Sequence, residues 1–197
     1  MFQGAIDFSH WNGKIKWNRL PPTYRLVFLK ATEGRAIVDS QWEANEEGAL
    51  STDRLVVPYH FISLEPADLQ AAHFVQTAGL RPGSPTMLDW ESPNPKTLPP
   101  IALVEQLCNN IEIATRRKPL VYHGIYTLAS KAINACPWFV PKYGPEPKGK
   151  WLFWQDRPNL VVDGVAGPCD HDCFNGTELE MELWHKSGAL PHTVELV

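Results

Sequence analysis

The sequence predicts a closed α/β barrel of parallel type, five strand–helix units followed by three strands whose helices are missing. Three observations predict it. Short apolar runs alternate with longer stretches of helical periodicity from Gly4 to Ala135. Beyond Ala135 the strand-like runs continue, but loops separate them. Acidic residues then fall at strand ends, the rim on which such barrels carry their chemistry.

Gly4–Phe8 reads as the first strand, ending in Ser9-His10-Trp11-Asn12-Gly13, with Asp7 near its end on the face opposite Ile6. Leu26–Lys30 is nearly continuous in apolar residues, the pattern of a strand covered on both faces. Ser40–Leu50 is predicted helical, with Asp39 or Ser40 as its N-cap. Leu55–Phe61 is the third strand, although Pro58 removes one ladder donor unless it lies at a bulge. A helix follows over Pro66–Ala78. Met87-Leu88-Asp89-Trp90-Glu91, between a Pro-Gly-Ser-Pro turn and Ser92-Pro93-Asn94-Pro95, is the fourth strand. The next helix starts at Pro99 or Pro100 and runs to Arg117, with Ile101, Val104, Leu107, Cys108 and Ile111 as its stripe. Leu120–Tyr122 is the fifth strand and Leu128–Ala135 a short helix. Trp138–Val140, Trp151–Gln155 and Leu160–Val165 complete the strands. Thr177-Glu178-Leu179-Glu180 is a capping box for a terminal helix stopped by Gly188. Residues 1–197 are therefore read as a single domain, with 177–197 its C-terminal helix and tail.

The acidic strand has direct chemical meaning. Side chains alternate along a strand, so Asp89 and Glu91 share a face roughly 6–7 Å apart at the backbone. Like charges that close raise at least one pKa, which suits a proton donor near neutral pH. An arbitrary Asp-x-Glu is more often two surface acids, but the apolar flanks here argue against an exposed edge. Barrel closure sets the first strand beside the last and brings Asp7 to Asp170, so four acids meet on one rim.

A net charge of −4 argues against nucleic acid or an anionic membrane as a partner. No apolar run approaches the ~20 residues of a membrane span, and the N-terminus lacks a basic signal-peptide region. The four cysteines include no C-x-x-C pair and are expected to be free thiols. Cys169-x-His171-x-Cys173 invites a metal reading. Zinc sites draw ligands from separated segments, no second Cys/His cluster exists, and alternation turns Asp170 and Asp172 to the other face. Neither a metal nor a cofactor is expected.

The motifs Gly4-Ala5-Ile6-Asp7-Phe8-Ser9-His10-Trp11-Asn12-Gly13, Phe28–Gly34, Tyr59-His60-Phe61, Leu88-Asp89-Trp90-Glu91, Phe153-Trp154-Gln155 and Asp170–Gly176 stand in an order that resembles glycoside hydrolase family 25. These are lysozymes that act as N-acetylmuramidases. The resemblance implies a flattened TIM-like barrel, (β/α)5(β)3, and cleavage of the β-1,4 bond from N-acetylmuramic acid to N-acetylglucosamine in peptidoglycan. It implies Glu91 as the general acid, Asp89 as its partner, and Asp7 and Asp170 as the other two acids. Asp89 would polarise the substrate's 2-acetamido group, or else Asp89 or Asp170 would act as nucleophile or activate water. Tyr59, Tyr122, Trp154 and Gln155 are subsite candidates, although a core role suits Trp154 at least as well. Lys30 either contacts substrate or offsets the acids. Asp172 stands where Asn is common, Asp156 where an aromatic often follows Trp-Gln, and Cys169 and Cys173 replace apolar residues. A catalytically silent glycan-binding module on the same barrel is the alternative. The chain is expected to be a monomer made in the cytoplasm, resembling a single-domain phage endolysin, and to reach the wall once the membrane is breached or by a non-classical export route.

Overall fold

A computed structural model describes residues 1–92, 97–124 and 130–191. Its strands are β1 (Phe2–Phe8), β2 (Leu26–Glu33), β3 (Ile37–Val38), β4 (Leu55–Phe61), β5 (Met87–Asp89), β6 (Leu120–Tyr122), β7 (Trp138–Pro141), β8 (Phe153–Leu160) and β9 (Cys169–Phe174). The α-helices are α1 (Trp42–Leu50), α2 (Ala67–Thr77), α3 (Ile101–Thr115), α4 (Lys131–Asn134) and α5 (Glu178–Ser187). The predicted turn residues 93–95 and helix start at Leu128, like the tail beyond 191, lie outside the described residues.

The strands close on themselves. The sheet runs β1-β9-β8-β7-β6-β5-β4-β2, β1 pairs β2 to complete the ring, and the two-residue β3 hangs from β2 outside it. Every pair from β1 through β8 in that ring is parallel, whereas β9 is antiparallel to both β8 and β1. Five strand–helix units followed by three strands match the expected count.

One strand lies elsewhere than expected. Leu160–Val165 is not a strand: β8 ends at Leu160, Val161 is 88% exposed, and the chain turns through Gly164 at φ +89°. The closing strand is β9, whose inward positions carry Asp170 and Asp172 and so lack the apolar alternation of its neighbours. Because β9 runs backwards, Asp170 sits near its N-terminal end yet on the same rim as the C-terminal ends of the parallel strands, in register with Asp7. The expectation that Asp170 ends a parallel strand is corrected; the expected meeting with Asp7 stands.

Alternation along the strands sorts the core into two layers. Inside the barrel, Phe28 packs on Phe139 and Phe153, and Phe153 on Phe174, with ring centroids 4.9–5.1 Å apart. Met181 and Trp184 of α5 close this interior layer, Trp184 lying 5.1 Å from Phe153. His185 bonds the carbonyl of Val56, near the start of β4, so α5 covers the end of the barrel opposite the acids. Outside the barrel, Ile6, Val27, Leu29, Leu88 and Val121 pack under the helices, including Val104, Leu107 and Ile111 of α3. Fully burying each such side chain stabilises the fold by about 1.5–3 kcal/mol.

The capping box of α5 is present: Thr177 accepts from the Glu180 amide, Glu180 accepts from the Thr177 amide, and Gly188 follows at φ +79°. For α1 the N-cap differs from expectation. The helix starts at Trp42 after Gln41, which makes no side-chain cap bond, and the Asp39 carboxylate accepts from the amides of Gln41 and His10.

Candidate active site

A cleft of about 90 Å³ opens on the rim formed by the C-terminal ends of the parallel strands. Asp7, Asp89, Glu91 and Asp170 all line it, with Tyr59, Tyr122 and Gln155 around them and Met87 and Phe139 contributing apolar wall. Two wider surface depressions lie elsewhere, one beside Lys14, Lys16 and Arg19, the other at the opposite barrel end beside Arg25 and His185. Neither gathers a group of carboxylates.

Gln155 ties the site together. Its Nε2 donates to Asp7 Oδ2 at 3.0 Å, and its Oε1 accepts from Tyr122 at 2.9 Å and from Tyr143 at 3.4 Å. The amide is thereby oriented, with its donor end on the carboxylate and its acceptor end on the phenols. Tyr143 was not singled out in the sequence. Its position two residues after β7, at the rim-facing end, is the signal that marks it.

β5 ends at Asp89, not Glu91, but the chain stays in line because the Trp90 amide donates to the Tyr122 carbonyl at 2.9 Å. Trp90 turns outward and is held firmly. It stacks on His123 at 4.0 Å and donates from Nε1 to the Pro99 carbonyl at 2.8 Å, while His123 Nδ1 donates to the Trp90 carbonyl at 2.6 Å. Fixing Trp90 outward leaves Asp89 and Glu91 facing the cleft, Asp89 buried and Glu91 at the open edge.

The electrostatics follow from burial and crowding. Burial, then the charge of Asp170, pushes the Asp7 carboxyl up to about 8 against the lowering effect of the Gln155 bond. Burial and the neighbouring Glu91 hold Asp89 well above the usual carboxylate range, with Lys30 pulling it back. Glu91 is raised by desolvation and by Asp170, again opposed by Lys30. Asp170 is raised by burial and lowered by the backbone N–H of Asn159, a residue at φ +60°. All four acids are thus shifted towards holding protons at neutral pH.

A fifth acid, Asp172, lies behind the rim, as the extra acidity expected there implies. Asp172 is fully buried, pairs in register with Ala5 and Gln155, and has no hydrogen-bond partner for either carboxylate oxygen among the described residues. Lys30 is buried, with Nζ 2.7 Å from Glu33 Oε2 and 4.8 Å from the Phe61 ring centre. It acts on the cleft through its charge and does not line the cleft. Trp154 does not join the site either. It points outward from β8, donates from Nε1 to the Lys142 carbonyl at 2.6 Å and packs edge-on against Trp151. The core reading of Trp154 replaces the subsite reading, because adjacent residues of one strand face opposite ways and Gln155 takes the inward position. His60 is likewise structural: it bonds Thr32 and Gln70 in the outer layer, and burial pushes its pKa down to about 4.

The acids of the cleft do not draw together closely enough to ligate a metal. Among the described residues, the group that does is Asp156, His171 and Cys173, on the outer wall of β8 and β9. The Cys-His-Cys run thus has the second-segment ligand that the sequence did not reveal.

Residues 6–165 match the family model for glycosyl hydrolases family 25. The chain is 32% identical over 196 residues to the YegX protein of Escherichia coli strain K12, covering 91% of this chain and 72% of that one. It is 27% identical over 210 residues to lysozyme M1 of Streptomyces globisporus, covering 88% and 68% respectively. The crystal structure of a bacterial lysozyme from Streptomyces coelicolor superposes with a TM-score of 0.81 at 25% identity, covering 93% of this chain and 96% of that one.

Proposed function

The chain belongs to glycosyl hydrolases family 25 and is a peptidoglycan hydrolase, a muramidase; from that premise we propose that Glu91 is its proton donor and Asp89 its substrate-orienting carboxylate. The observation that supports this division is the depth of the two side chains in one cleft. Asp89 is buried at the end of β5, whereas Glu91 lies beyond the strand at the open edge. A glycan strand laid across the rim reaches Glu91 first.

In this reading the Glu91 carboxyl gives its proton to the oxygen linking N-acetylmuramic acid to the next sugar. The bond to the anomeric carbon breaks with its electrons on that oxygen. Asp89, ionised in the productive state, accepts the N–H of the 2-acetamido group and turns that group's carbonyl oxygen onto the anomeric carbon. Water then attacks that carbon, the acetamido oxygen leaves it with its electron pair, and a proton of the water passes to Glu91. Substrate assistance of this kind is one established alternative to a two-carboxylate displacement. Burial and the neighbouring Asp170 favour protonated Glu91, while Gln155 fixes the Asp7 carboxyl beside them. Tyr59 and Tyr122 offer ring faces to the sugars. The protein works as a monomer on the glycan strands of the wall, needs neither nucleic acid nor membrane as a partner, and reaches the wall after release from the cytoplasm. No described helix is long and apolar enough to cross a membrane.

The test is turbidity clearing of purified cell walls. Glu91→Gln is expected to lose activity by about 10²–10⁴ while staying folded, the usual contribution of a positioned acid. Near-wild-type clearing by that folded variant overturns the assignment. Mass spectrometry of the muropeptides tests the bond, with muramic acid expected at the new reducing ends.

A further inference from the structure

We propose that Asp156, His171 and Cys173 form a zinc-class divalent metal site on the outer wall of the barrel, behind the acidic rim. The β8–β9 ladder builds it. Trp154 pairs with Cys173 and Arg157 with His171, with a register shift between Gln155 and Arg157 that makes Asp156 the extra residue of a bulge. A bulge re-aims one side chain, and here the Asp156 carboxylate comes to the outer face that His171 and Cys173 already share.

The three ligand atoms lie within 4.8 Å of one another. Asp156 Oδ1 is 2.5 Å from His171 Nδ1, and Cys173 Sγ is 3.9 Å from the same nitrogen. Around a tetrahedral zinc with bonds of about 2.0–2.3 Å those two separations become roughly 3.3 and 3.6 Å. Both changes are below an ångström. Oxygen, imidazole and thiolate are ligands zinc accepts, and a softer sulfur donor excludes magnesium or calcium. His171 and Cys173 are buried, and the Asp156 side chain is 14% exposed.

A hydrolytic Cys-His-Asp relay does not fit the same residues. Such a relay needs the acid on one ring nitrogen and the sulfur on the other, whereas both approach Nδ1 here. The remaining side of the cluster is taken by the Arg157 guanidinium, 3.1 Å from Asp156 Oδ2 and 3.2 Å from His171 Nδ1. Its side chain is 54% exposed, so it can withdraw into solvent without opening the core. Arg157 therefore supplies the positive charge that a bound metal would replace. The location gives the site a purpose: His171 stands between Asp170 and Asp172, and Asp156 follows Gln155. A metal here would lock the bulge beside Gln155 and Asp170, two of the groups that line the cleft, as a positioning element and not as a catalyst.

The experiment uses the full chain without a histidine tag, stripped with chelator and titrated with cobalt(II), then with zinc in competition. One equivalent of cobalt is expected, with a thiolate-to-cobalt absorption band that zinc abolishes. Cys173→Ser should remove the band, and Asp156→Asn should weaken binding at least tenfold. Arg157→Gln should tighten it several-fold while leaving the core untouched, and circular dichroism verifies that each variant is folded. Cys136→Ser, away from the cluster, should bind as wild type. No stoichiometric metal in both wild type and Arg157→Gln overturns the proposal. So does a cobalt band that survives Cys173→Ser.

Discussion

Lys30 tunes the charge of the cleft without taking part in bond breaking, and Asp172 lies buried behind the cleft. Lys30 lowers the pKa of both Asp89 and Glu91. The proposed mechanism needs Asp89 ionised, which sets the acid limb of the pH profile, and Glu91 protonated, which sets the alkaline limb. Lys30→Met is therefore expected to move both limbs of the kcat/KM profile to higher pH. A profile that stays in place would show that Lys30 acts only through Glu33 and Phe61. Asp172 is a different case, since burial with two unpartnered oxygens costs stability. Asp172→Asn carries no charge to desolvate and is expected to raise stability by about 1–3 kcal/mol, seen as a rise of several degrees in Tm. At this scale the sequence was informative about acids and weak about orientation. Asp7 and Asp89 are legible as acids at strand ends, whereas Trp154 stays open between core and subsite because a motif names both residues of a pair whose side chains face opposite ways. Tyr143 carries only a weak signal, since it lies two residues beyond β7 and outside the apolar run that marks the strand.

β5 and β9 show what decides legibility for whole elements. β5 is three residues long and flanked by breakers, so its place was plain from the apolar run alone. The placement of Glu91 beyond its end depends on Trp90, whose ring is held by His123 and Pro99. Trp90→Ala is expected to destabilise the fold by about 3–5 kcal/mol, as large aromatic truncations in cores do. Trp90→Phe should keep most of that stability, lose the bond to Pro99 and lower kcat more than it changes KM. Equal effects on both constants would remove Trp90 from the positioning of Glu91. No strand is predicted over β9, and Leu160–Val165 is predicted as the last strand instead. The reason is that hydrophobic alternation reports burial against apolar groups, while β9 buries carboxyls inward and Cys169, His171 and Cys173 outward. Direction was equally hidden, because the pattern of a strand is the same read either way.

For the molecule as a whole, the acids that suit the chemistry oppose stability. Asp7 holds its proton in the folded state up to about pH 8, and Asp89 is shifted the same way, whereas in the unfolded chain both ionise near pH 4. Between those limits the folded state binds more protons than the unfolded, so stability falls as pH rises through the window. Below pH 4 both states are protonated and the dependence ends. Tm is expected to be higher at pH 5 than at pH 8, with a smaller decline in Asp7→Asn. An equal decline would place the cause in other groups. The closed ring has a last consequence, in time more than in space. β1 precedes β9 by more than 160 residues and pairs with it, so the contact that seats Asp7 opposite Asp170 is non-local. Non-local pairings of this kind slow folding, and until they form an unpaired strand edge stays open to aggregation. A nascent chain that has not yet released β9 from the ribosome therefore has neither a closed barrel nor a complete rim. Wall-cutting competence and barrel closure arrive in one step, once β9 has emerged and paired.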